Sequence, residues 1–165
     1  MLHRRPAGPM HKNAQRVVDF ASSSYGVALE VHEFPDGTRT ADDAARAIGV
    51  EVGQIVKSLV FLADGAPVVA LVSGSNQLDE KKLAVAAGAA STGRASAEQV
   101  REATGYPVGG VPPFGHSSTL ATFVDADLLA YDVVWAAAGT PHLNFSIAPE
   151  ELVRLSGGTV ADLAR

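Results

Sequence analysis

The segment IVKSLVFLADGAPVVALV, residues 55–72, contains two apolar runs that flank a turn sequence. β-Branched and other apolar residues dominate residues 55–62 and 68–72, while Asp64-Gly65-Ala66-Pro67 between them has the composition of a turn. The pattern predicts two strands, and their continuous apolar character predicts a sheet that is covered on much of both faces. One lysine, Lys57, interrupts the first run.

Apolar periodicity and capping residues predict further helices and strands on both sides of this segment. Ser96-Ala97-Glu98-Gln99 has the pattern of a capping box, and Thr40 is a suitable N-cap. The predicted helices cover residues 11–25, 40–48, 79–87, 96–104 and 150–155, with a short helical turn at 126–129. The other predicted strands cover residues 27–34, 119–124, 133–138 and 143–147. Because helices and strands alternate irregularly, we expect an α/β fold with a mixed sheet.

Length and composition are those of one folded domain, since the chain has 165 residues, of which 47% are hydrophobic and 19% charged. We expect residues 1–12 to be a flexible N-terminal segment and residues 13–165 to be the domain. The absence of cysteine excludes disulfides, thiolate metal ligands and a cysteine nucleophile, and it fits a cytoplasmic location. No apolar run has the length of a membrane span. The net charge of −5 argues against a broad nucleic-acid-coating surface but leaves a small contact with one RNA end open.

Lys57 is the strongest single candidate for a catalytic residue, because its neighbours include the apolar residues Val56 and Leu59. A partly desolvated ammonium group is a strong electrostatic catalyst, since a charge interacts more strongly in a dry site. The alternative is an edge-strand lysine whose ammonium reaches solvent and protects the sheet edge against aggregation. The pattern alone leaves both interpretations open.

Two loops rich in glycine and proline are further candidates. Residues 109–116, GGVPPFGH, cannot form an ordinary helix or central strand, and such a stiff loop could present backbone N–H groups to a carbonyl oxygen or a phosphate. Gly139-Thr140-Pro141-His142 lies between two apolar runs. Each loop could equally be a surface connection, and His142 a structural histidine. Ser73-Gly74-Ser75-Asn76 precedes a predicted helix and could bind phosphate or form a capped turn.

Other kinds of site lack their sequence signals. The five histidines are scattered without metal-ligand spacing, so we expect no metal site. The sequence has neither a Walker lysine nor G-x-G-x-x-G, which argues against a nucleotide cofactor, and we expect no cofactor at all. It also lacks the G-x-S-x-G elbow of a serine hydrolase.

Four segments, in this order, resemble the YbaK/ProX family of freestanding aminoacyl-tRNA editing domains: residues 55–61, 72–83, 104–115 and 138–142. The resemblance extends over about residues 15–163. It implies a single domain with a mixed, curved, barrel-like sheet surrounded by helices, similar to the editing domain inserted in bacterial prolyl-tRNA synthetases. It also implies hydrolysis of the ester that links a wrong amino acid to tRNA, in a pocket for the aminoacylated 3′ end of the tRNA.

The resemblance implies a set of site residues. Lys57 and His142 are the implied catalytic residues. The implied substrate-binding residues are Ser58, Gly74, Gly109, Gly110, Val111, Phe114, Gly139 and Pro141. Phe61, Val111 and Phe114 are expected in the apolar wall of a small side-chain pocket. Ser58, Ser73 and Ser75 depart from residues common in the family, which affects the expected substrate more than the expected reaction. The loop at residues 106–116 looks closer to the ProX-like branches than to the cysteine-specific YbaK branch.

We therefore expect a trans-editing aminoacyl-tRNA deacylase that contributes to translation fidelity. Proline tRNA is the expected carrier, with Ser, Thr, Ala, Cys or 2-aminobutyrate as the misattached amino acid. An aminoacyl-tRNA synthetase is a further candidate partner, whereas neither DNA nor a membrane is expected. Two alternatives stay open: a non-catalytic module that binds a tRNA end or small ligand, and a general small-molecule esterase.

Overall fold

The computed structural model of the protein describes the backbone of Arg5–Pro6 and, with side chains, residues 11–35, 38 and 40–165. In these residues the strands are β1 Arg5–Pro6, β2 Val31–Glu33, β3 Val56–Ala63, β4 Ala66–Ser73, β5 Thr92–Arg94, β6 Ala121–Asp125, β7 Val134–Ala137, β8 Leu143–Ile147 and β9 Thr159–Ala161. The α-helices are α1 Lys12–Tyr25, α2 Ala41–Ile48, α3 Glu80–Ala87, α4 Ala97–Thr104 and α5 Pro149–Ser156. Short 3-10 helices occupy Val52–Gln54 and Ala126–Ala130.

The predicted hairpin lies at the centre of a mixed sheet. β3 and β4 are antiparallel along their whole length, from Val56 opposite Ser73 to Ala63 opposite Ala66. The strand order is β5-β3-β4-β6-β9, in which β5, β3 and β4 are antiparallel while β6 and β9 run parallel to β4. Parallel neighbours need long crossovers, and α3 and α4 lie in the crossover from β4 to β6. The irregular alternation of helices and strands therefore produces the mixed sheet that the sequence predicted.

A second sheet has the order β1-β2-β8-β7, and all of its pairs are antiparallel. It meets the first sheet at a parallel bridge between Ile55 and Trp135. Among the described strands no pairing joins the remaining edges, so the expected barrel-like arrangement is open rather than closed. The fold class, one α/β domain with a mixed sheet and surrounding helices, is confirmed.

The predicted capping residues begin the helices. The Thr40 hydroxyl accepts a hydrogen bond from the N–H of Asp43 at 3.0 Å, and Ser96 and Gln99 make both bonds of the capping box. Pro149 is the first residue of α5. Each predicted α-helix agrees with the structure to within one residue at both ends. Within the described residues, no helix combines the length and the apolar composition that crossing a bilayer requires.

The strands agree less well with the sequence analysis. β5, β9 and the 3-10 helix at Val52–Gln54 were not predicted, because strands of three residues arise only through pairing with a neighbour. The predicted strand 27–34 shortens to β2, since β8 pairs only with residues 31–33. Two residues of the turn predicted at residues 35–37 lie outside the described part of the chain, and so does most of the segment 1–12. Of that segment, the structure shows Arg5–Pro6 opposite residues 32–33.

The hairpin is buried on both faces, as predicted. On one face Val56, Val60 and Leu71 belong to the main core, which also contains residues of α1, α4 and α5. On the other face Phe61 packs with Leu83 of α3. Burial of such a side chain contributes roughly 1.5–3 kcal/mol. A polar group on the hairpin can therefore be accommodated only near an edge or end of the strands, where hydrogen-bond partners or solvent are within reach.

Gly74, just after β4, lies where neighbouring segments pack closely against the hairpin. A Cβ atom at this position would lie 2.4 Å from the Val52 carbonyl oxygen and 2.9 Å from the Cβ of Ala41. We expect Gly74→Ala to lower the free energy of unfolding by about 1–3 kcal/mol, as overpacking does, in denaturant titrations. Gly93→Ala is the matched control, because nothing lies within 4 Å of its Cβ position. Equal stability of the two variants would contradict this account of the packing.

Candidate active site

A cavity of about 480 Å³ lies where β3, β7 and β8 face the 108–111 loop and the start of α2. Its wall contains five residues that the sequence predicted for the site: Lys57, Ser58, Gly74, Gly109 and Val111. It also contains polar and aromatic residues that the sequence analysis did not assign to the site: Thr38, Thr40, Asp42, Trp135 and Asn144. Segments that are far apart in the sequence converge here, so this cavity is the candidate active site.

Lys57 is half-buried in the wall of this cavity, and its Nζ donates a hydrogen bond to the backbone carbonyl of Asn76 at 2.6 Å. An ammonium group has three N–H donors, and the other two have no hydrogen-bond partner among the described residues. Burial lowers the pKa of Lys57 because desolvation penalises the charged form, while the carboxylates of Asp125 and Asp42 oppose this shift. The ammonium is thus fixed at the cavity with hydrogen-bonding capacity to spare, which favours the electrostatic interpretation of this lysine.

Asp125 fixes the turn that holds Lys57. Its carboxylate is 1% exposed and accepts hydrogen bonds from the N–H of Ser73 at 3.0 Å and from the side-chain amide of Asn76 at 2.9 Å. It also accepts from the N–H of Asp127 at 3.0 Å. A buried carboxylate is tolerated only with such partners. These bonds position the turn whose Asn76 carbonyl accepts the hydrogen bond from Lys57. The sequence analysis missed Asp125, whose only signal was an acidic residue at the end of an apolar strand.

Polar groups of the 73–76 turn are already hydrogen-bonded to other groups of the protein. The N–H of Gly74 donates to the Ile55 carbonyl at 2.7 Å, and the Ser73 hydroxyl donates to the Gly53 carbonyl at 2.7 Å. The N–H of Asn76 donates to the Ser73 carbonyl at 2.9 Å. Of the two interpretations left by the sequence, the structure therefore favours a capped turn over a phosphate site.

Ser58 carries polar atoms that point away from the neighbouring strand. In an antiparallel pair, successive residues bond alternately to the partner strand and away from it. The Ile55 carbonyl accepts from Gly74 on the β4 side, whereas the Val60 carbonyl accepts from Ala95 on the opposite side. Ser58 lies two residues before Val60 and therefore has the same orientation in the strand, so its backbone N–H and C=O also point away from β4.

The edge of β3 is open at this position. β7 reaches β3 only through the Ile55–Trp135 bridge, and β5 pairs with it only from Phe61 onward. The side-chain Oγ of Ser58 is buried and has no hydrogen-bond partner in the described part of the chain. Ser58 therefore offers a hydroxyl, an N–H and a carbonyl to a ligand in the cavity.

The two glycine-containing loops contact each other. A Cβ atom at Gly110 would lie 2.8 Å from the Gly139 carbonyl oxygen, and Gly109 lies beside Pro141. The N–H of Gly110 donates to the Pro107 carbonyl at 3.0 Å, which closes a turn. The N–H of the exposed Gly109 has no partner among the residues described. Of the N–H groups of Gly109 and Gly110, the structure leaves that of Gly109 available to a ligand.

Some predicted site residues lie outside the cavity wall. Phe114 is 2% exposed and stacks on Phe20 with ring centroids 5.6 Å apart, so it supports the loop from the core. The side chain of His142 is exposed, and its backbone carbonyl accepts from the N–H of Phe34 at 2.9 Å. Gly110, Gly139 and Pro141 form the contact between the loops rather than the wall. A contact between His142 and a substrate stays a prediction.

Asn144 and Thr38 connect the cavity wall to the 139–142 turn. The side-chain amide of Asn144, which is 5% exposed, donates to the Thr38 hydroxyl at 2.9 Å. The Thr38 hydroxyl and N–H both donate to the Pro141 carbonyl. No local sequence pattern points to these residues, because one lies beside a turn and the other is a single polar residue in an apolar strand.

A smaller cavity of about 130 Å³ adjoins the first. The residues that both walls contain are Ser58, Leu59, Val108, Gly109 and Val111. The rest of the small wall is mostly apolar and includes Val60, Phe61, Ala95 and Val100 together with Arg94. Two of the residues expected in an apolar pocket wall, Phe61 and Val111, thus line this cavity, whereas Phe114 does not.

Three hydrogen-bond donors are among the groups left free around the site. The Lys57 ammonium, the Ser58 hydroxyl and the Gly109 N–H suit a ligand with negative charge or a polarised carbonyl group. Within the described residues, no three His, Asp or Glu side chains gather as metal ligands would. A small α/β domain with such a cavity has the groups needed to bind an anion or to polarise the carbonyl of an acyl group.

The chain belongs to the aminoacyl-tRNA editing domain family, whose model matches residues 35–155. A relative from Enterococcus faecalis, described as a proposed Cys-tRNA(Pro)/Cys-tRNA(Cys) deacylase, EbsC, is 30% identical over 154 residues, with 92% of each chain covered. A solved structure described as a proposed trans-editing enzyme for prolyl-tRNA synthetase is 46% identical with a TM-score of 0.89, covering 94% of this chain and 99% of that chain. A proline–tRNA ligase from Nitratidesulfovibrio vulgaris (strain DP4) is 41% identical over 92 residues, which are 56% of this chain and 16% of the ligase.

These similarities confirm the family that the sequence resembled and the predicted class of enzyme, an aminoacyl-tRNA deacylase. The match to a small part of a proline–tRNA ligase agrees with the expected relation to an editing domain of those synthetases.

We expect the pKa of Lys57 to lie below the ordinary value of a lysine side chain, because burial disfavours the ammonium form. Asp42→Asn removes a carboxylate that stabilises the ammonium, so it should lower the pKa of Lys57 further. NMR titration of ¹³C-labelled lysine measures both values. The control is Asp43→Asn, since Asp43 pairs with Arg46 at 3.6 Å and should leave Lys57 unaffected. A pKa of Lys57 that responds to neither variant would contradict charge coupling across the cavity.

Proposed function

We propose that the protein is a trans-editing deacylase that hydrolyses the ester between the 3′-terminal ribose of a mischarged tRNA and a small amino acid. Proline tRNA is the proposed carrier and cysteine the first amino acid to test, because the similar proteins are described in those terms. The observation that carries the proposal is one cavity in which the free N–H groups of Lys57 and the unpartnered hydroxyl of Ser58 share a wall. Family membership supports the substrate class.

The proposed reaction adds the oxygen of a water molecule, which a hydroxyl of the terminal ribose can help to position, to the ester carbonyl carbon. Negative charge develops on the carbonyl oxygen until the bond to the ribose oxygen breaks. A proton of the water passes to that ribose oxygen, so the products are the free amino acid and tRNA with its terminal hydroxyl restored. The Lys57 ammonium, held by the Asn76 carbonyl, is the proposed stabiliser of this charge, and its partial burial strengthens the interaction. The Gly109 N–H is the proposed second donor. Loss of one such donor commonly slows a reaction by about 10²–10³.

The smaller cavity is the proposed pocket for the amino-acid side chain. Its volume of about 130 Å³ and its wall of Val60, Phe61 and Val111 suit a small, weakly polar side chain. A synthetase gains only about 1–3 kcal/mol of discrimination per methylene, so a second site that admits only small side chains removes errors that the first cannot. Ser58 belongs to both walls. We assign its hydroxyl to the α-amino group or the ester of the substrate.

The other predicted site residues have supporting roles in this proposal. Gly110, Gly139 and Pro141 hold the Gly109 loop against the 139–142 turn, and Phe114 supports the loop from below. His142 is assigned to the rim, where it would meet the substrate outside the cavity. Gly74 allows the 73–76 turn to approach α2. A tRNA substrate implies work in the cytoplasm, alone or beside an aminoacyl-tRNA synthetase.

We expect Lys57→Ala to lower kcat/KM for the preferred mischarged tRNA by about 10²–10³, because it removes a donor to the developing charge. The assay measures deacylation of proline tRNA charged with Cys, Ser, Thr, Ala or 2-aminobutyrate, with Pro as the cognate control. Lys81→Ala, at an exposed position of α3, is the matched lysine control and should retain full activity. Far-UV circular dichroism checks that both variants are folded.

The outcomes separate the possible functions. Lysine-dependent hydrolysis of one or two panel members, with prolyl-tRNA spared, would support editing and identify the substrate. Binding of the charged tRNAs without hydrolysis would favour a non-catalytic module. Hydrolysis of free amino-acid esters but not of charged tRNA would favour a general esterase. Full activity of folded Lys57→Ala would reject the role given to this residue.

For His142→Ala we expect a partial loss, below about tenfold in kcat/KM, or a changed preference among the panel members. A residue at the rim contributes less than the 10²–10⁴ typical of a positioned general acid or base. The measurement is the same deacylation assay with each panel member. Kinetics identical to those of the wild type for every substrate would remove His142 from the site.

A further inference from the structure

We propose that a cleft beside the active site, lined by Lys57, Arg94 and Arg165, binds the backbone phosphates of the nucleotides that precede the aminoacylated 3′-terminal adenosine. The inference rests on the proposed function, because it assigns the path of the same substrate outside the active site. The cleft has a volume of about 370 Å³. The rest of its wall consists of Leu59, Phe61, Gln77, Leu78 and Glu80.

The strand register explains why this cleft adjoins the active site. Lys57, Leu59 and Phe61 alternate along β3 and so share one face of the sheet. Arg94 lies directly opposite Phe61 in β5, which puts it on the same face. Lys57 and Leu59 also line the active-site cavity. A chain whose end occupies the cavity and that passes Lys57 would therefore enter the cleft.

The opposite wall is held by contacts between two segments of the chain. Leu78 forms a β-bridge with Ala164. The N–H of Arg165 donates to the Gln77 carbonyl at 3.0 Å, and its guanidinium donates to the Gln77 side-chain carbonyl at 3.2 Å. Arg165 is thereby fixed across the cleft from β3.

The charges and surfaces of the cleft match a single-stranded nucleotide chain. Its wall has three cationic side chains against one acidic side chain, that of Glu80. The side chain of Arg94 has no ion pair or hydrogen bond among the described residues. A free guanidinium can bind two phosphate oxygens at once. Leu59, Phe61 and Leu78 add an apolar surface on which a base can lie.

The test measures binding of the 5′-phosphorylated RNA trinucleotide CCA, the common end of tRNAs, by NMR or fluorescence. We expect Arg94→Ala, and more strongly the double variant with Arg165→Ala, to weaken its Kd about three- to tenfold at low salt. One lost phosphate contact should also reduce the slope of log Kd against log salt by about 0.7. Adenosine, which has no phosphate, should bind equally to all variants.

Arg154→Ala is the matched control, because it removes an arginine that is outside the cleft and paired with Glu151 at 2.7 Å. It should leave the Kd of CCA unchanged. The proposal would be overturned if the wild type did not bind CCA or if Arg94→Ala did not weaken CCA binding. It would also be overturned if Arg94→Ala weakened the binding of adenosine as much as that of CCA. The readout does not depend on hydrolysis. If the protein binds CCA through Arg94 but deacylates no tRNA, the proposed function would be rejected while phosphate binding in the cleft would still be supported.

Discussion

The interrupted edge of β3 is the constraint on which the site depends. The strand is paired with β4 along its whole length, but on its other side β7 and β5 contact only its two ends. An unpaired backbone group inside a protein costs free energy, so such a gap is normally filled. Here the gap coincides with Ser58, whose hydroxyl also lacks a partner, and with a cavity large enough for a ligand. The arrangement is consistent only if something else supplies the hydrogen bonds, either solvent or a substrate.

The charge of Lys57 is maintained by the same region. Partial burial works against an ammonium, and the compensation comes from the Asn76 carbonyl and from the carboxylates of Asp125 and Asp42. Asp125 has two effects, because it positions the turn that carries the Asn76 carbonyl and contributes negative charge near Lys57. A lysine that is only held by neutral groups would lose its proton more easily. Asp125, a buried residue outside the wall of the active-site cavity, therefore contributes both to the position of Lys57 and to the stability of its charge.

The sequence predicted those features that depend on local signals. Thr40, the Ser96–Gln99 capping box and Pro149 mark helix ends through contacts within one turn, so the helices could be located accurately. Lys57 was detectable as a lone charge in an apolar run. Asp125, Asn144 and Thr38 act through partners many positions away, which no local pattern reports. The same reason explains why the three-residue strands β5 and β9 were missed, since pairing rather than composition makes them strands.

An acidic chain can hold an RNA end if attraction is local rather than global. The net charge of −5 would repel a polyanion at long range, but at physiological salt this repulsion is screened beyond about 8 Å. Within that distance only the nearest side chains matter, and in the cleft beside β3 these are three cations, Lys57, Arg94 and Arg165, and one acid, Glu80. In the proposed function, binding of this kind is weak for any one phosphate and gains selectivity from the cavity that follows. Such weak contacts would suit an editing enzyme, because release of correctly charged tRNA would stay fast.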